Sequence, residues 1–223
     1  TPDDLFDAVS AETGVIAITS VSGGSATESG IQSVSISITD AESAPTVTLT
    51  SSASSVGEAG SDLTLTATLS NPTYQSVTVS IDGTGGSATE GTDFATVTDI
   101  TIASGDTTGT AAFNPTIDSL YDATSAESAV IAISGVAGGA ATESGTQTAS
   151  ISITDGDSAP TVTIASSAST VGEGESDLTL TATLSVATYA NVTVSLGTSG
   201  TATSGSDYTA VASTVTISAG STT

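Results

Sequence analysis

Apolar and polar residues alternate along most of this chain. In residues 62–70, Leu63, Leu65, Ala67 and Leu69 fall on one face and Thr64, Thr66 and Thr68 on the other. The same period of two runs through Val77, Val79 and Ile81, through Ile100 and Ile102, through Ile131 and Ile133, and through Ile151 and Ile153. A two-residue period rich in β-branched side chains predicts half-buried antiparallel strands. Clusters of Gly, Ser and Asp separate the runs, at 80–93, 102–106 and 136–145. No stretch reads as a helix. The outward Thr ladders are read as strand residues that stay soluble without charge, in preference to a face for ice or polysaccharide.

The pattern repeats on a longer scale. The segment PTVTLTSSASSVGEAGSDLTLTATLS beginning at Pro45 returns at Pro160 as PTVTIASSASTVGEGESDLTLTATLS, 115 positions later. The same offset joins LFDAVSAETGVIAIT from Leu5 to LYDATSAESAVIAIS from Leu120, and SISITDAESAP to SISITDGDSAP. Residues 1–44 therefore correspond to the back part of one repeat, 45–159 to a complete repeat, and 160–223 to the front part of another. Only the stretch equivalent to 109–115 lacks a counterpart. Two arrangements stay open. The chain is a window on a longer array, or residues 160–223 of one molecule complete a sandwich with residues 1–44 of the next, giving a head-to-tail fibre. Neither partial repeat is expected to bury a core by itself.

About seven strands per repeat predict an all-β, immunoglobulin-like antiparallel β-sandwich. Aromatic residues make up only 3% of the chain, so the core must come from Val, Ile, Leu and Ala. That suffices for two sheets about 10 Å apart.

Charge changes the picture most. The chain carries 24 Asp and Glu and no Lys, Arg or His, for a formal charge of −24. No acidic side chain has a cationic side chain to pair with. Two carboxylates about 4 Å apart repel by roughly 1 kcal/mol even in bulk water. Acids that cluster must be relieved by backbone N–H groups, water or metal ions.

On the strand map they do cluster. Glu58 lies in the turn between the first and second strands of the complete repeat, and Asp93 ends the loop after the third. Asp118 and Asp122 occupy the loop before the strand that starts near Glu127, and Asp155 and Asp157 follow the last strand. Alternate loops of an up-and-down succession lie at one end of a sandwich, so these seven converge at one pole. Every candidate side-chain ligand is an oxygen. That argues against typical zinc, copper and iron sites and for calcium, which takes 6–8 oxygens in flexible geometry.

The order of these motifs is similar to that of the Calx-beta family. The Glu of SVGEAG, the Asp-aromatic pairs Asp93-Phe94 and Asp207-Tyr208, the acids of IDSLYDATSAES and the closing ITDGD carry the likeness, which covers the complete repeat and both partial ones. The resemblance implies a seven-stranded sandwich, calcium held at distal loops as in sodium–calcium exchangers, and occurrence in integrin chains or in long arrays on bacterial surfaces. Carried over, Glu58, Asp93, Asp118, Glu127, Asp155 and Asp157 match its ligand positions, with Asp122 beside them in a loop one residue longer than the exchanger pattern. The counterparts in the partial repeats are Asp3, Asp4, Asp7, Glu12, Asp40 and Glu42 on one side and Glu173 and Asp207 on the other. The adjacent acids the family carries before its sixth strand are reduced to Asp118-Ser119, while Asp3-Asp4 keeps the pair.

Several function classes are disfavoured. Without His, Cys, Lys or Arg there is no Ser-His-Asp triad, thiolate nucleophile, Schiff-base lysine or arginine clamp. GTGGSATEG has no lysine and no following helix, so it is not a phosphate loop. The charge repels nucleic acid and anionic lipid, and no apolar run is long enough to span a membrane. The expectation is a non-enzymatic spacer or fibre repeat at a bacterial cell surface, stiffened by calcium and partnered by its own neighbouring repeats. A glycan- or cell-binding adhesion module is the alternative.

Overall fold

The computed structural model describes residues 4–8, 11–122 and 126–223. In the first partial repeat, β1 (Glu12–Ala17) and β2 (Ser33–Ile38) form an antiparallel pair. The complete repeat supplies β3 (Thr46–Ser51), β4 (Ser55–Gly57), β5 (Leu63–Leu69), β6 (Val77–Gly86), β7 (Ile100–Ile102), β8 (Thr108–Phe113), β9 (Leu120–Tyr121), β10 (Glu127–Ala137), β11 (Thr142–Glu143) and β12 (Thr148–Thr154). The last partial repeat adds β13 (Val162–Ser166), β14 (Leu180–Leu184), β15 (Ala187–Thr188), β16 (Val192–Ser195) and β17 (Thr214–Ile217). Among the described residues every regular element is a strand.

Two sheets build the complete repeat, a five-stranded one in the order β4-β12-β10-β6-β7 and a four-stranded one in the order β11-β3-β5-β8. The alternation read from the sequence fixes which side chains lie between them. Leu65, Ala67, Val77, Val79, Ile81, Ile100, Ile102, Ile131, Ile151 and Ile153 are all buried, with Leu63 and Ile133 packed partly against them. Each fully buried Val, Leu or Ile contributes roughly 1.5–3 kcal/mol over leaving it in water. Two aromatic rings reinforce the aliphatic core. Phe94 and Phe113 stack with centroids 4.9 Å apart and planes inclined by 25°.

Two backbone features position the acidic pole. After β3 the chain crosses to the opposite sheet, where β4 runs parallel to β12. The Glu58 N–H then donates to the Thr154 carbonyl at 3.0 Å, one residue before Asp155. At the end of β6, Gly86 has φ 101°, and a Cβ there would lie 1.8 Å from the Ser128 carbonyl oxygen. Only glycine allows the following loop to lie on the start of β10, where the Ala88 N–H donates to Ser128 O at 3.0 Å. That approach brings the Asp93 loop beside Glu127.

The partial repeats differ from one another. The β1–β2 pair leaves its apolar residues in solvent, with Ile36 47% exposed where its counterpart Ile151 is 0%. In 160–223 the expectation of no core needs correcting, because Ala182, Leu184 and Ile217 form a small buried cluster supported by Val192 and Val194. That segment contains two antiparallel pairs, β13–β14 and β16–β17, and the cluster joins them. Among its described residues the first segment has a single pair of strands and no buried cluster.

Equivalent leucines give a direct test of this contrast. Leu65 is 0% exposed and its counterpart Leu180 is 43% exposed. Leu65→Ala should cost about 2–5 kcal/mol in a dilute urea melt, and Leu180→Ala less than about 1 kcal/mol. Equal costs would show that the two repeats are packed alike in solution.

Candidate functional site

The seven acids singled out in the complete repeat lie on four separate stretches of chain, and all are half-buried. Their local anchors differ. Asp93 follows a tight loop in which its Oδ2 accepts the Thr89 N–H at 2.5 Å, and the adjacent Phe94 ring pins that loop into the core. Asp118 Oδ1 accepts the Leu120 N–H at 2.7 Å. Asp155 accepts twice, from the Asp157 N–H at Oδ1 and from the Asp122 N–H at Oδ2, both at 2.8 Å. The linker that leaves β12 is thereby tied to the loop before β10.

These carboxylates feel one another. Burial pushes Glu58 up to about 7 from an ordinary 4.5, with the charges of Asp118, Asp155 and Asp157 adding to the effect. Glu127 is also pushed up, by burial first and then by Asp93 and Asp122, by a hydrogen bond with Asp93, and by Asp118. One group gathers around Glu58 and another around Glu127, and Asp118 belongs to both. All seven thus lie within electrostatic reach of Glu58 or Glu127. Among the described residues, however, no three of the carboxylates stand close enough to ligate one ion between them as they are placed.

The partial repeats reproduce pieces of this arrangement. Asp40 Oδ2 accepts the Asp7 N–H at 2.8 Å, the relation Asp155 has with Asp122. A hydrogen bond with Glu42 lowers Asp40, assisted by the Asp7 N–H, and the same bond raises Glu42. Asp207 Oδ2 accepts the Thr203 N–H at 2.6 Å, as Asp93 does from Thr89. Asp4, Glu12, Glu173 and Asp207 are exposed, and Asp3 lies outside the described residues.

The sequence reading missed the contacts across the repeat boundary. There β9 runs parallel to β15, with Leu120 opposite Ala187 and Tyr121 opposite Thr188. The Tyr189 N–H donates to the Tyr121 carbonyl at 3.2 Å, and the Tyr189 hydroxyl donates to Asp118 Oδ2 at 3.0 Å. That bond, with burial and nearby acids, pushes the phenol up to about 12. At the preceding boundary Phe6 forms a parallel bridge with Thr73, its N–H donates to the Pro72 carbonyl at 2.9 Å, and the Tyr74 N–H donates to Phe6 O at 3.2 Å. Thr73 and Thr188 are both buried. The signal was available as Thr-Tyr at 73–74 and again at 188–189, at the repeat offset.

The acid set fits a hard divalent cation. It offers only oxygen donors, its members are half-buried, and burial, with neighbouring acids adding to it, pushes both Glu58 and Glu127 up. A bound cation relieves that repulsion directly.

The model of the Calx-beta domain matches this chain twice, over residues 40–157 and 155–223. No curated protein matches. Among solved structures, the crystal structure of the apo-form Calx CBD1 domain is similar at 15% identity and a TM-score of 0.44, covering 52% of this chain and 100% of that one. The crystal structure of CBD12 from CALX1.2 is similar at 15% identity and a TM-score of 0.42, covering 50% of this chain and 44% of that one.

The shift of Glu58 has a sign that a melt can read. Its folded pKa of about 7 lies above the ordinary 4.5, so the folded state holds a proton that the unfolded chain releases. This contribution to stability is complete below pH 4.5 and is lost as pH rises through about 7. In buffer stripped of divalent ions, the melting temperature should fall across that interval, and Glu58→Gln should flatten the fall. A pH-independent melt would show that Glu58 is neither buried nor crowded by its neighbours in solution.

Proposed function

The chain belongs to the Calx-beta domain family, and on that premise we propose that its repeats are calcium-dependent structural modules of a bacterial cell-surface or extracellular protein. The observation that carries this reading is the convergence of seven half-buried acids at the pole where one repeat meets the next, in a chain without a positive side chain. Glu58, Asp118, Asp155 and Asp157 would hold an ion on the linker side, and Asp93, Asp122 and Glu127 one beside it. Asp3, Asp4, Asp7, Glu12, Asp40 and Glu42 would do the same in the preceding repeat, with Glu173 and Asp207 in the following one. Bound calcium supplies charge neutralisation at the pole. The protein's own part is to hold linker and loops together through Asp155 and Asp122, so that the ion also fixes the angle between repeats.

This is a spacer or fibre role, without catalysis. The near-identity of the repeats supports it over the adhesion reading, since a recognition tip differs from its neighbours in loop length or exposed aromatics. Its partners are further copies of the same repeat. The apolar face of β1–β2 is exposed, and so is the part of the β13–β14 face away from Ala182 and Leu184, with Ile164 57% exposed where its counterpart Leu49 is 4%. In the complete repeat those same two faces cover each other, so the segment that fits each is its counterpart from a neighbouring repeat, in the same chain or in a second molecule.

Two measurements test this. Calcium that binds only the folded state stabilises it by about 2.7 kcal/mol at a hundredfold excess over its dissociation constant. Chelation should therefore lower the melting temperature and shorten the particle in small-angle scattering, and an unchanged melt in EDTA would defeat the calcium reading. Light scattering of the 223-residue chain with calcium should show association that grows with concentration, and Ile36→Asp should suppress it. A monomer at every concentration would remove the second molecule as a partner.

A further inference from the structure

Asp118 occupies a singular place in the acidic pole. Its charge acts on both Glu58 and Glu127, so it is shared by the two halves of the cluster. Its Oδ1 is fixed within its own loop by the Leu120 N–H, and its Oδ2 is fixed from outside the repeat by the Tyr189 hydroxyl. Tyr189 is in turn placed by its own backbone, which is tied to Tyr121 beside the β9–β15 ladder. One carboxylate is thus oriented by two repeats at once.

We propose that Tyr189 is a positioning residue that makes ion binding in one repeat depend on the docking of the next. This rests on the calcium reading and adds to it a coupling between neighbours. A carboxylate held at both oxygens has its orientation set before an ion arrives, which lowers the ordering cost of binding. When the following repeat swings away, Asp118 loses one of its two restraints, and the shared member of the cluster is free to turn from its neighbours. Linkage makes the effect reciprocal, so an ion at the pole strengthens the repeat-to-repeat contact by the factor with which that contact strengthens the ion. Tyr74 occupies the same place at the preceding boundary, where the counterpart of Asp118 is Asp3.

Tyr189→Phe in the full 223-residue chain tests this, because it removes the donor and keeps the ring. Calcium affinity is read by titration calorimetry and boundary order by small-angle scattering, with a thermal melt to verify folding. Loss of one charge-assisted hydrogen bond should weaken calcium binding by about three- to tenfold. It should also reduce the calcium-induced extension of the particle. Tyr121→Phe, which removes a different hydroxyl at the same boundary, should leave both unchanged. Wild-type affinity and extension in Tyr189→Phe overturn the proposal, as does an equal loss in Tyr121→Phe. A wild-type chain that takes up no calcium overturns the calcium reading itself, an outcome distinct from either.

Discussion

Negative charge without any side-chain counter-charge governs this molecule. Each carboxylate has to be answered by a backbone N–H, a hydroxyl, a proton or an ion, and the structure shows the first two at work. Asp93, Asp118, Asp155 and Asp207 each accept backbone N–H groups of their own loops or of a neighbouring one. Asp118 also takes a hydroxyl, and Glu58 and Glu127 move toward their protonated forms. Carboxylates answered by backbone fix loop geometry, because the chain must adopt the turn that presents the N–H.

The sandwich below the pole is a uniform support. Its two sheets are filled mainly by aliphatic side chains, and the stacked pair of Phe94 and Phe113 joins the Asp93 loop to the core. Phe94 joins the two layers of the design, since it is buried itself and carries an acid on its preceding residue. The switch of β3 into β4 does the same for Glu58, drawing it across to the last strand of the opposite sheet. The site is thus made of residues whose immediate neighbours are held by the core.

Strand positions and core membership were legible because period two maps directly onto a two-sided sheet. Leu65, Ile131 and Ile151 are buried as their spacing demands. The meeting of Glu58, Asp118 and Asp155 was legible too, since loop parity in an antiparallel succession puts alternate loops at one end. What escaped the sequence depends on the placement of whole segments. The parallel pairings of β4 and β11 arise where a strand or a hairpin tip leans onto another strand, and no periodicity marks them. The small cluster of Ala182, Leu184 and Ile217 depends on two pairs of strands meeting within one segment. Tyr189 escaped for a similar reason. It lies 71 residues from Asp118, in another repeat, and only the stacking of repeats brings the hydroxyl to the carboxylate.

The ladder between β9 and β15 has a mechanical consequence. Two bodies joined by a single peptide linker swivel about that point in every direction. A second attachment away from the first leaves rotation only about the line through both, much as two pins turn a ball joint into a door hinge. Here the linker after Asp155 is one pin and the Tyr121–Thr188 pairing is the other. Flexing across that line must break the pairing of Leu120 with Ala187 and of Tyr121 with Thr188, whereas turning about the line leaves both attachments in place.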